Sequence, residues 1–185
     1  MKRLSLLAVA ALVASVPLQG QAQGKKDSVV MAMALEPPGL DPTTAAAAAI
    51  AEVTLYNVYE TLTKINEDGS VSPLLAESWQ ATEDLKSYTF KLRKGVKFQN
   101  GEPLDSAAVK FSFDRNAAPN STNKDKSLYQ SFEQVSAPDA DTIVVTLKYS
   151  EPNLPFLIGQ ASGSIVEPKS APTDATQPVG TGPYT

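Results

Sequence analysis

The 185-residue chain has no cysteine and no histidine. Because it has no cysteine, its stability must come from a hydrophobic core and not from the cross-links of a small stapled fold. Because it has no histidine, it lacks the usual general base at neutral pH and the commonest metal ligand. These absences argue against most hydrolase and transition-metal functions. The sequence therefore predicts a protein that is not an enzyme and needs no cofactor.

The first 22 residues have the pattern of a secretory signal peptide. Lys2 and Arg3 give a basic start, an apolar run follows from 4 to 18, and small residues lead to an expected cleavage site after Ala22. A membrane-spanning helix needs about 20 consecutive apolar residues, whereas this run is shorter and is interrupted by Pro17. The pattern predicts export, either to the periplasm of a Gram-negative cell or out of the cell.

The charge of the exported chain argues against anionic partners. Removing Lys2 and Arg3 from the 16 basic residues leaves 14 against 20 acidic ones, a net charge of −6. Nucleic acid and anionic membrane surfaces would therefore repel the protein. Since no cysteine stands at the cleavage point to take a lipid, we expect a freely soluble protein.

The chain after the leader opens like a βα unit. Ser28 to Leu35 is an apolar run of strand length, typical of a strand buried on both faces. Asp41-Pro42 reads as a cap and a first-turn proline of a helix predicted over 43–62. Ligands of open α/β sheets bind beyond the carboxyl ends of strands. The loop Glu36 to Thr44 is thus a candidate site, although a purely structural turn fits its two prolines equally well.

Later segments show the alternation of half-buried strands. Tyr88, Phe90 and Leu92 alternate with polar residues, and Trp79 lies on a plausible partner strand across a turn. A similar alternation runs over 143–149, and another turn is predicted at 66–69. We expect Trp79 and Tyr149 to belong to the core.

Between these hairpins the sequence predicts a turn and a capped helix. Asn100-Gly101 supplies a tight turn, and Asp105 can cap the amide groups of a helix that starts at the next residue. The helix is mostly apolar, with Lys110 and Asp114 as a narrow polar stripe. The segment specifies shape and contains no cluster of reactive groups.

One spacing offers an alternative function. Ser121 and Lys124 give Ser-x-x-Lys, which penicillin-reactive enzymes use for nucleophilic attack. In those enzymes the serine opens a buried helix and is accompanied by Ser-Asp-Asn and Lys-Thr-Gly elements, neither of which this sequence contains. A secreted serine hydrolase is therefore the alternative function, and chance is the better explanation of the spacing.

Five stretches, taken together, carry a family resemblance. They are LEPPGLDP at 35–42, YETL at 59–62, SVSPLLAESW at 70–79, YTFKLRKGVKFQNGEPLDSAAVKFSFDR at 88–115 and VGTGPYT at 179–185. They closely resemble the extracytoplasmic solute-binding proteins of peptide, opine and nickel ABC transporters, known as bacterial solute-binding family 5. The likeness runs from about Val29 to Thr185, and its most specific part is the stretch from Arg93 to Arg115.

The resemblance implies an α/β fold of the periplasmic binding protein type, class II with three domains. After a signal peptide at 1–22, it implies a first segment of domain I at 23–57, an inserted α+β subdomain at 58–165 and a return into domain I at 166–185. Family members are much longer and have a second lobe, so this chain resembles the amino-terminal part of lobe I. Its last residues predict a glycine turn that enters another strand, as in a fragment.

The resemblance also implies the function. The protein would be the substrate-binding component of an ABC importer, a monomer that captures a peptide or similar solute in the periplasm and delivers it to permease subunits in the inner membrane. A sensor that docks on a receptor is a further alternative. A chelated nickel ligand is compatible with the family, but direct metal coordination is disfavoured here because histidine and cysteine are absent.

The implied ligand contacts come from two regions of the chain. By resemblance, the cleft between lobes would be faced by residues after the first strand and near the edge of the inserted subdomain, namely Glu36, Pro37, Gly39, Tyr129, Ser162 and Ser164. For Tyr129, packing within LYQSF is the alternative, because aromatics near a domain boundary usually pack.

Overall fold

The computed structural model describes residue 30 and residues 32–44 and 47–185. The predicted signal peptide and part of the predicted first strand lie outside the described residues. The helices of the described ranges are α1 (Ala48–Thr54), α2 (Ser106–Ala117), α3 (Lys126–Gln130), α4 (Leu154–Leu157) and a 3₁₀ turn (Ala161–Gly163). None of these described helices has the length and apolar content that crossing a membrane requires.

The sheet is built from consecutive antiparallel hairpins. The strands are β1 (Thr63–Ile65), β2 (Val71–Pro73), β3 (Ala76–Ala81), β4 (Ser87–Leu92), β5 (Phe132–Asp139) and β6 (Thr142–Leu147). Strands β1 and β2 form a ribbon, and the others form a four-stranded sheet in the order β3-β4-β6-β5. The predicted mixture of helices and strands is confirmed.

The register of the sheet follows the sequence alternation. Trp79 in β3 lies opposite Phe90 in β4, and Phe90 lies opposite Ile143 in β6. Alternate residues of a strand point to the same face, and those on one face of β4 and β6 are at most 2% exposed: Tyr88, Phe90, Leu92, Ile143, Val145 and Leu147. The predicted half-buried strands are therefore confirmed.

Helix α2 covers this apolar face of the sheet. It begins where the sequence predicts, because the Asp105 carboxylate accepts a hydrogen bond from the Ala108 backbone N–H at 2.9 Å. Val109 and Phe113 of the helix are buried in the same core as the strands. The predicted polar stripe faces solvent as an ion pair of Lys110 and Asp114, 2.5 Å apart.

Three aromatic rings pack against one another in and beside this core. The rings of Phe113, Tyr129 and Phe132 lie with centroids 5.4 to 5.7 Å apart, in tilted or edge-to-face arrangements that suit aromatic quadrupoles. Short helix α3, which carries Tyr129, is held on α2 by these contacts. The core therefore extends from the sheet across both helices.

The predicted first strand is wrong over the described residues. Met33 and Leu35 are not in a strand, and their side chains are 39% and 70% exposed. A strand needs a neighbour that pairs with its backbone N–H and C=O groups. None of the described strands runs beside this segment, so its apolar sequence does not produce a ladder here.

The helix predicted over 43–62 is much shorter in the structure and ends at Thr54. The chain turns sharply at Tyr56, whose φ is +61°. Beyond that turn, the backbone carbonyls of Thr61 and Leu62 accept hydrogen bonds from the β2–β3 region at 3.2 and 2.9 Å. Tertiary pairing therefore overrides the high helix propensity of the alanine-rich sequence.

The two aromatic residues predicted for the core have different environments. Trp79 is partly buried and packs against the core, as predicted. Tyr149 is 55% exposed, so the prediction for it is wrong. Strand β6 ends at Leu147, and the chain leaves the sheet before the alternation would bring Tyr149 onto the buried face.

We predict that Asp105→Ala lowers the free energy of unfolding by about 1 kcal/mol, because the first turn of α2 loses its cap. Urea unfolding followed by circular dichroism measures this change. Asp114→Ala on the same helix is the matched control, since its exposed ion pair is worth about 0.5 kcal/mol or less. Equal losses in the two variants would contradict the capping role.

Candidate functional site

The loop at 36–44 has an exposed half and a buried half. Glu36 is exposed, Pro37 and Gly39 are half-buried, and Asp41 is only 3% exposed. Between the halves, the Leu40 backbone N–H donates to the carbonyl of Ala175 at 2.9 Å. The loop therefore presents its first residues outward while its later residues are anchored in the protein.

Asp41 is the anchor of this loop. One oxygen, Oδ1, accepts hydrogen bonds from the backbone N–H and hydroxyl of Thr43 at 2.9 and 2.7 Å. The other oxygen, Oδ2, lies 2.5 Å from Nη2 of Arg115. The sequence predicts that Asp41 caps a helix, but residues 42–44 form a turn. The Asp41 carboxylate instead stabilises this turn through Thr43 and pairs with the Arg115 guanidinium.

Arg115 joins three distant stretches of the chain. It lies in the last turn of α2, and its guanidinium donates to Asp41, to the hydroxyl of Thr43 and, at 3.5 Å, to the carbonyl of Ala171. Its side chain is 23% exposed. A planar group with several donors in fixed directions suits such a junction better than a lysine would.

A second carboxylate, Asp174, is buried beside this ion pair with 0% exposure. Burial is the main cause that raises its pKa to about 6, the charge of Asp41 raises it further, and Ser170 and Arg115 oppose the change. Burial and the charges of Asp174 and Asp41 also raise the pKa of Tyr59, which therefore stays protonated. The site thus contains two carboxylates and one guanidinium, with a phenol at its edge.

The glycine-containing segment near the end of the described residues packs closely against the backbone at Val58. Gly182 donates its backbone N–H to the carbonyl of Val58 at 2.9 Å, and a Cβ at Gly180 would lie 1.9 Å from that carbonyl oxygen. The Gln99 side chain accepts from the Gly180 N–H at 2.9 Å and donates to the Gly182 carbonyl at 3.0 Å. The sequence predicts a glycine turn that enters a strand here; the structure has bends at 181–183 and no strand over residues 178–185.

The six predicted ligand contacts fall into two groups in the structure. Glu36, Pro37 and Gly39 lie together on the loop described above. Ser162, Ser164 and Tyr129 are 0–1% exposed and belong to the packed interior of this part of the chain. Ligand contact by all six stays a prediction, and exposure favours the three loop residues.

The interior group has structural partners of its own. The Ser162 hydroxyl donates to Asp125, and its carbonyl accepts from the side-chain amides of Asn116 and Asn123 at 3.1 and 2.9 Å. Burial raises the pKa of Tyr129, whose ring packs in the aromatic cluster. These contacts support the packing interpretation of Tyr129.

The pair that suggested an enzyme does not form a reactive site. Lys124 lies 2.9 Å from Asp125 and 3.2 Å from the side-chain oxygen of Gln160. The Ser121 hydroxyl accepts from the Asn123 backbone N–H at 3.2 Å and lies in a loop, not at the start of a helix. The lysine is thus engaged by an acid and an amide, and the serine has no base within its described hydrogen-bond contacts.

Sequence reasoning missed Arg115 and Asp174 as members of this site. The one signal for Arg115 is its position as a charged residue at the end of the apolar helix sequence FSFDR. Nothing in the turn-rich sequence around Asp174 distinguishes a buried aspartate from an exposed one. Only the packing of 167–179 against the loop reveals it.

We predict that Arg115→Ala lowers the free energy of unfolding by about 2–4 kcal/mol, because Asp41 would remain buried without its cation. Chemical denaturation measures this loss, and Lys110→Ala on the exposed side of the same helix is the control. Adding Asp41→Asn to Arg115→Ala should recover part of the loss. No recovery would mean that lost packing, and not an uncompensated charge, causes the effect.

We further predict that Gly180→Ala destabilises the protein by about 1–3 kcal/mol, because the added methyl group would overlap the Val58 carbonyl. Gly39→Ala is the matched control, since a Cβ there meets its nearest atom at 3.5 Å, an ordinary contact. Thermal unfolding of both variants tests this. A loss at Gly39 as large as that at Gly180 would contradict the steric explanation.

The chain matches a known family over most of its length. A family model described as "Bacterial extracellular solute-binding proteins, family 5 Middle" matches residues 70–185. The glutathione-binding protein GsiB of Salmonella paratyphi A is 32% identical over 187 residues, which covers 99% of this chain and 35% of that protein. The chain thus spans about a third of the length of the curated relatives that it matches.

Solved structures agree with this match. The binding protein AgaA of A. tumefaciens, in complex with agropinic acid, superposes with a TM-score of 0.73 at 29% identity, over 80% of this chain and 30% of AgaA. The Haemophilus influenzae OppA complex with the peptide RPPGFSPFR gives a TM-score of 0.73 at 26% identity, over 80% of this chain and 33% of that one. The predicted fold of the periplasmic binding protein type is confirmed, and the chain belongs to the bacterial extracellular solute-binding proteins of family 5.

Proposed function

We propose that the protein of which this chain forms part is the substrate-binding component of an ABC importer. It captures a short peptide or a similar small polar solute in the periplasm and delivers it to permease subunits in the inner membrane. The similar proteins GsiB, AgaA and OppA bind glutathione, agropinic acid and a peptide, respectively. These ligands carry amide or carboxylate groups. We therefore expect the solute bound by this protein to be a small polar molecule with such groups.

One structural observation carries this proposal. The loop that presents Glu36, Pro37 and Gly39 is exposed at Glu36 and half-buried at the other two residues, and the Asp41–Arg115 ion pair anchors its later part. A binding protein needs such a surface, already ordered before the ligand arrives, because ordering a loop on binding weakens affinity. The exposed carboxylate of Glu36 suits the ammonium or amide groups of a peptide-like ligand.

Two exposed apolar side chains support the proposal that this chain is part of a longer protein. Leu35 is 70% exposed and Tyr184 is 66% exposed, at the two ends of the described unit. We infer that further strands and the second lobe of the longer protein cover these residues. The ligand would then lie between the lobes, and closure would follow from a higher affinity of the closed state for the solute.

We propose no covalent chemistry for this protein. Ser121 and Lys124 are engaged by other groups, and the described residues contain no cluster of three or more acidic side chains that would hold a metal ion. Affinity would instead come from hydrogen bonds and burial within the closed cleft. A penicillin-type probe that acylates Ser121 in the purified protein would contradict this.

Mass spectrometry of the natural protein recovered from the periplasm tests the carrier function. Under native conditions we expect an adduct of peptide or opine size, and under denaturing conditions a chain much heavier than this one. Small-angle scattering should then show compaction when the identified solute is added to the stripped protein. A protein that carries nothing and does not compact with peptide, glutathione or opine would refute the proposal.

We predict that Glu36→Ala in the full-length protein weakens solute binding by about tenfold or more, because a charged hydrogen bond is lost. Isothermal titration with the solute identified above measures the change. Glu52→Ala, on the exposed side of α1, is the matched control and should leave the affinity unchanged. Equal affinity of the two variants would remove Glu36 from the predicted contacts.

A further inference from the structure

The segment 167–179, called here the return segment, contains two buried carboxylates, Glu167 and Asp174. Glu167 accepts hydrogen bonds from the backbone N–H groups of Lys169 and Ser170 within the segment, whereas Asp174 packs among groups from three other parts of the chain. Asp174 is 0% exposed, and its Oδ1 accepts a hydrogen bond from the Ser170 hydroxyl at 3.0 Å. Among the described residues, the Ser170 hydroxyl is thus the one hydrogen-bond donor to this carboxylate.

The facing groups are of mixed charge. Asp41 comes from the 36–44 loop, Arg115 from α2 and Tyr59 from the turn after α1, and these are the titratable groups that act on Asp174. Arg115 already pairs with Asp41 at 2.5 Å. An ionised Asp174 therefore adds a second carboxylate to a buried site whose single cation is engaged, which is an unfavourable arrangement.

The hydrogen-bonding atoms nearest this charge are incompletely paired. Within the described ranges, neither Oδ2 of Asp174 nor the Tyr59 hydroxyl makes a hydrogen bond of good geometry, although the two groups face each other closely enough to influence one another. A protonated carboxyl would be a donor as well as an acceptor. A neutral carboxyl could thus pair with the Tyr59 hydroxyl without placing a second negative charge beside Asp41.

We propose that Asp174 is a protonation-controlled latch: its neutral carboxyl holds the return segment against Tyr59 and the Asp41–Arg115 pair, and its ionised form loosens that segment. Burial and Asp41 raise its pKa from 3.8 to about 6. Because the folded-state pKa is higher than that of the exposed group, the packed segment binds more protons. The contribution of Asp174 to the stability of the segment is therefore largest below about pH 4, falls as the pH rises to about 6, and changes little above that.

The latch acts on the loop that carries the candidate ligand contacts. Leu40 donates to the carbonyl of Ala175 at 2.9 Å, and Gly39 lies against the same residue. Loosening the return segment would therefore also loosen Gly39 and Leu40. The consequence for ligand affinity rests on the proposed function, whereas the latch itself is tested without ligand.

Hydrogen exchange of the full-length protein, followed by mass spectrometry between pH 5 and pH 7.5, tests the latch. After correction for intrinsic exchange rates, we expect protection of amides in the return segment to fall about tenfold over this range in the natural protein. In Asp174→Asn, which resembles the neutral carboxyl, protection should be nearly independent of pH. Asp114→Asn, an exposed aspartate on α2, should behave like the natural protein.

A direct titration keeps the test decisive if Asp174→Asn does not fold. The carboxyl carbon of Asp174, followed by NMR in the natural protein with labelled aspartate, should titrate with a midpoint near 6. A midpoint near 4 would overturn the proposal, as would a natural protein and an Asp174→Asn variant with the same pH dependence of protection. A midpoint near 6 together with a pH-independent variant would establish the latch.

Discussion

The ion pair of Arg115 and Asp41 is the constraint on which the rest of the site depends. Through one guanidinium, the end of α2 is bonded to the 41–44 turn and to the carbonyl of Ala171. These stretches are far apart in sequence, and without the contact nothing else among the described side chains would fix all three at one point. This junction therefore also determines the position of the adjoining loop at 36–39.

A second constraint is backbone contact that excludes side chains. Gly180 and Gly182 lie so close to the carbonyls of Asn57 and Val58 that a Cβ at either position would overlap an oxygen. The Gln99 side chain then bonds to both glycines. Since Gln99 lies between β4 and α2, this contact connects the loop that joins these two core elements with the segment that carries the glycine motif.

Asp174 makes the stability of this junction depend on pH. Arg115 neutralises one carboxylate well, but a second carboxylate in the same buried volume shares that single cation. The arrangement is stable when the second group is neutral and less so when it is ionised. A structural contact and a response to pH therefore have the same physical origin.

The sequence by itself determined the local elements and the family. Alternation predicted β4 and β6, Asp105 predicted the start of α2, and the motifs from 35 to 185 predicted the solute-binding fold, because each depends on residues close together in the chain. The buried carboxylates, the early end of α1 and the unpaired segment at 33–35 were decided only by the tertiary structure. Each outcome depends on residues far away in the chain. Asp41 pairs with Arg115, and Thr61 and Leu62 pair with the β2–β3 region. For Leu35, none of the described strands lies alongside to pair with it.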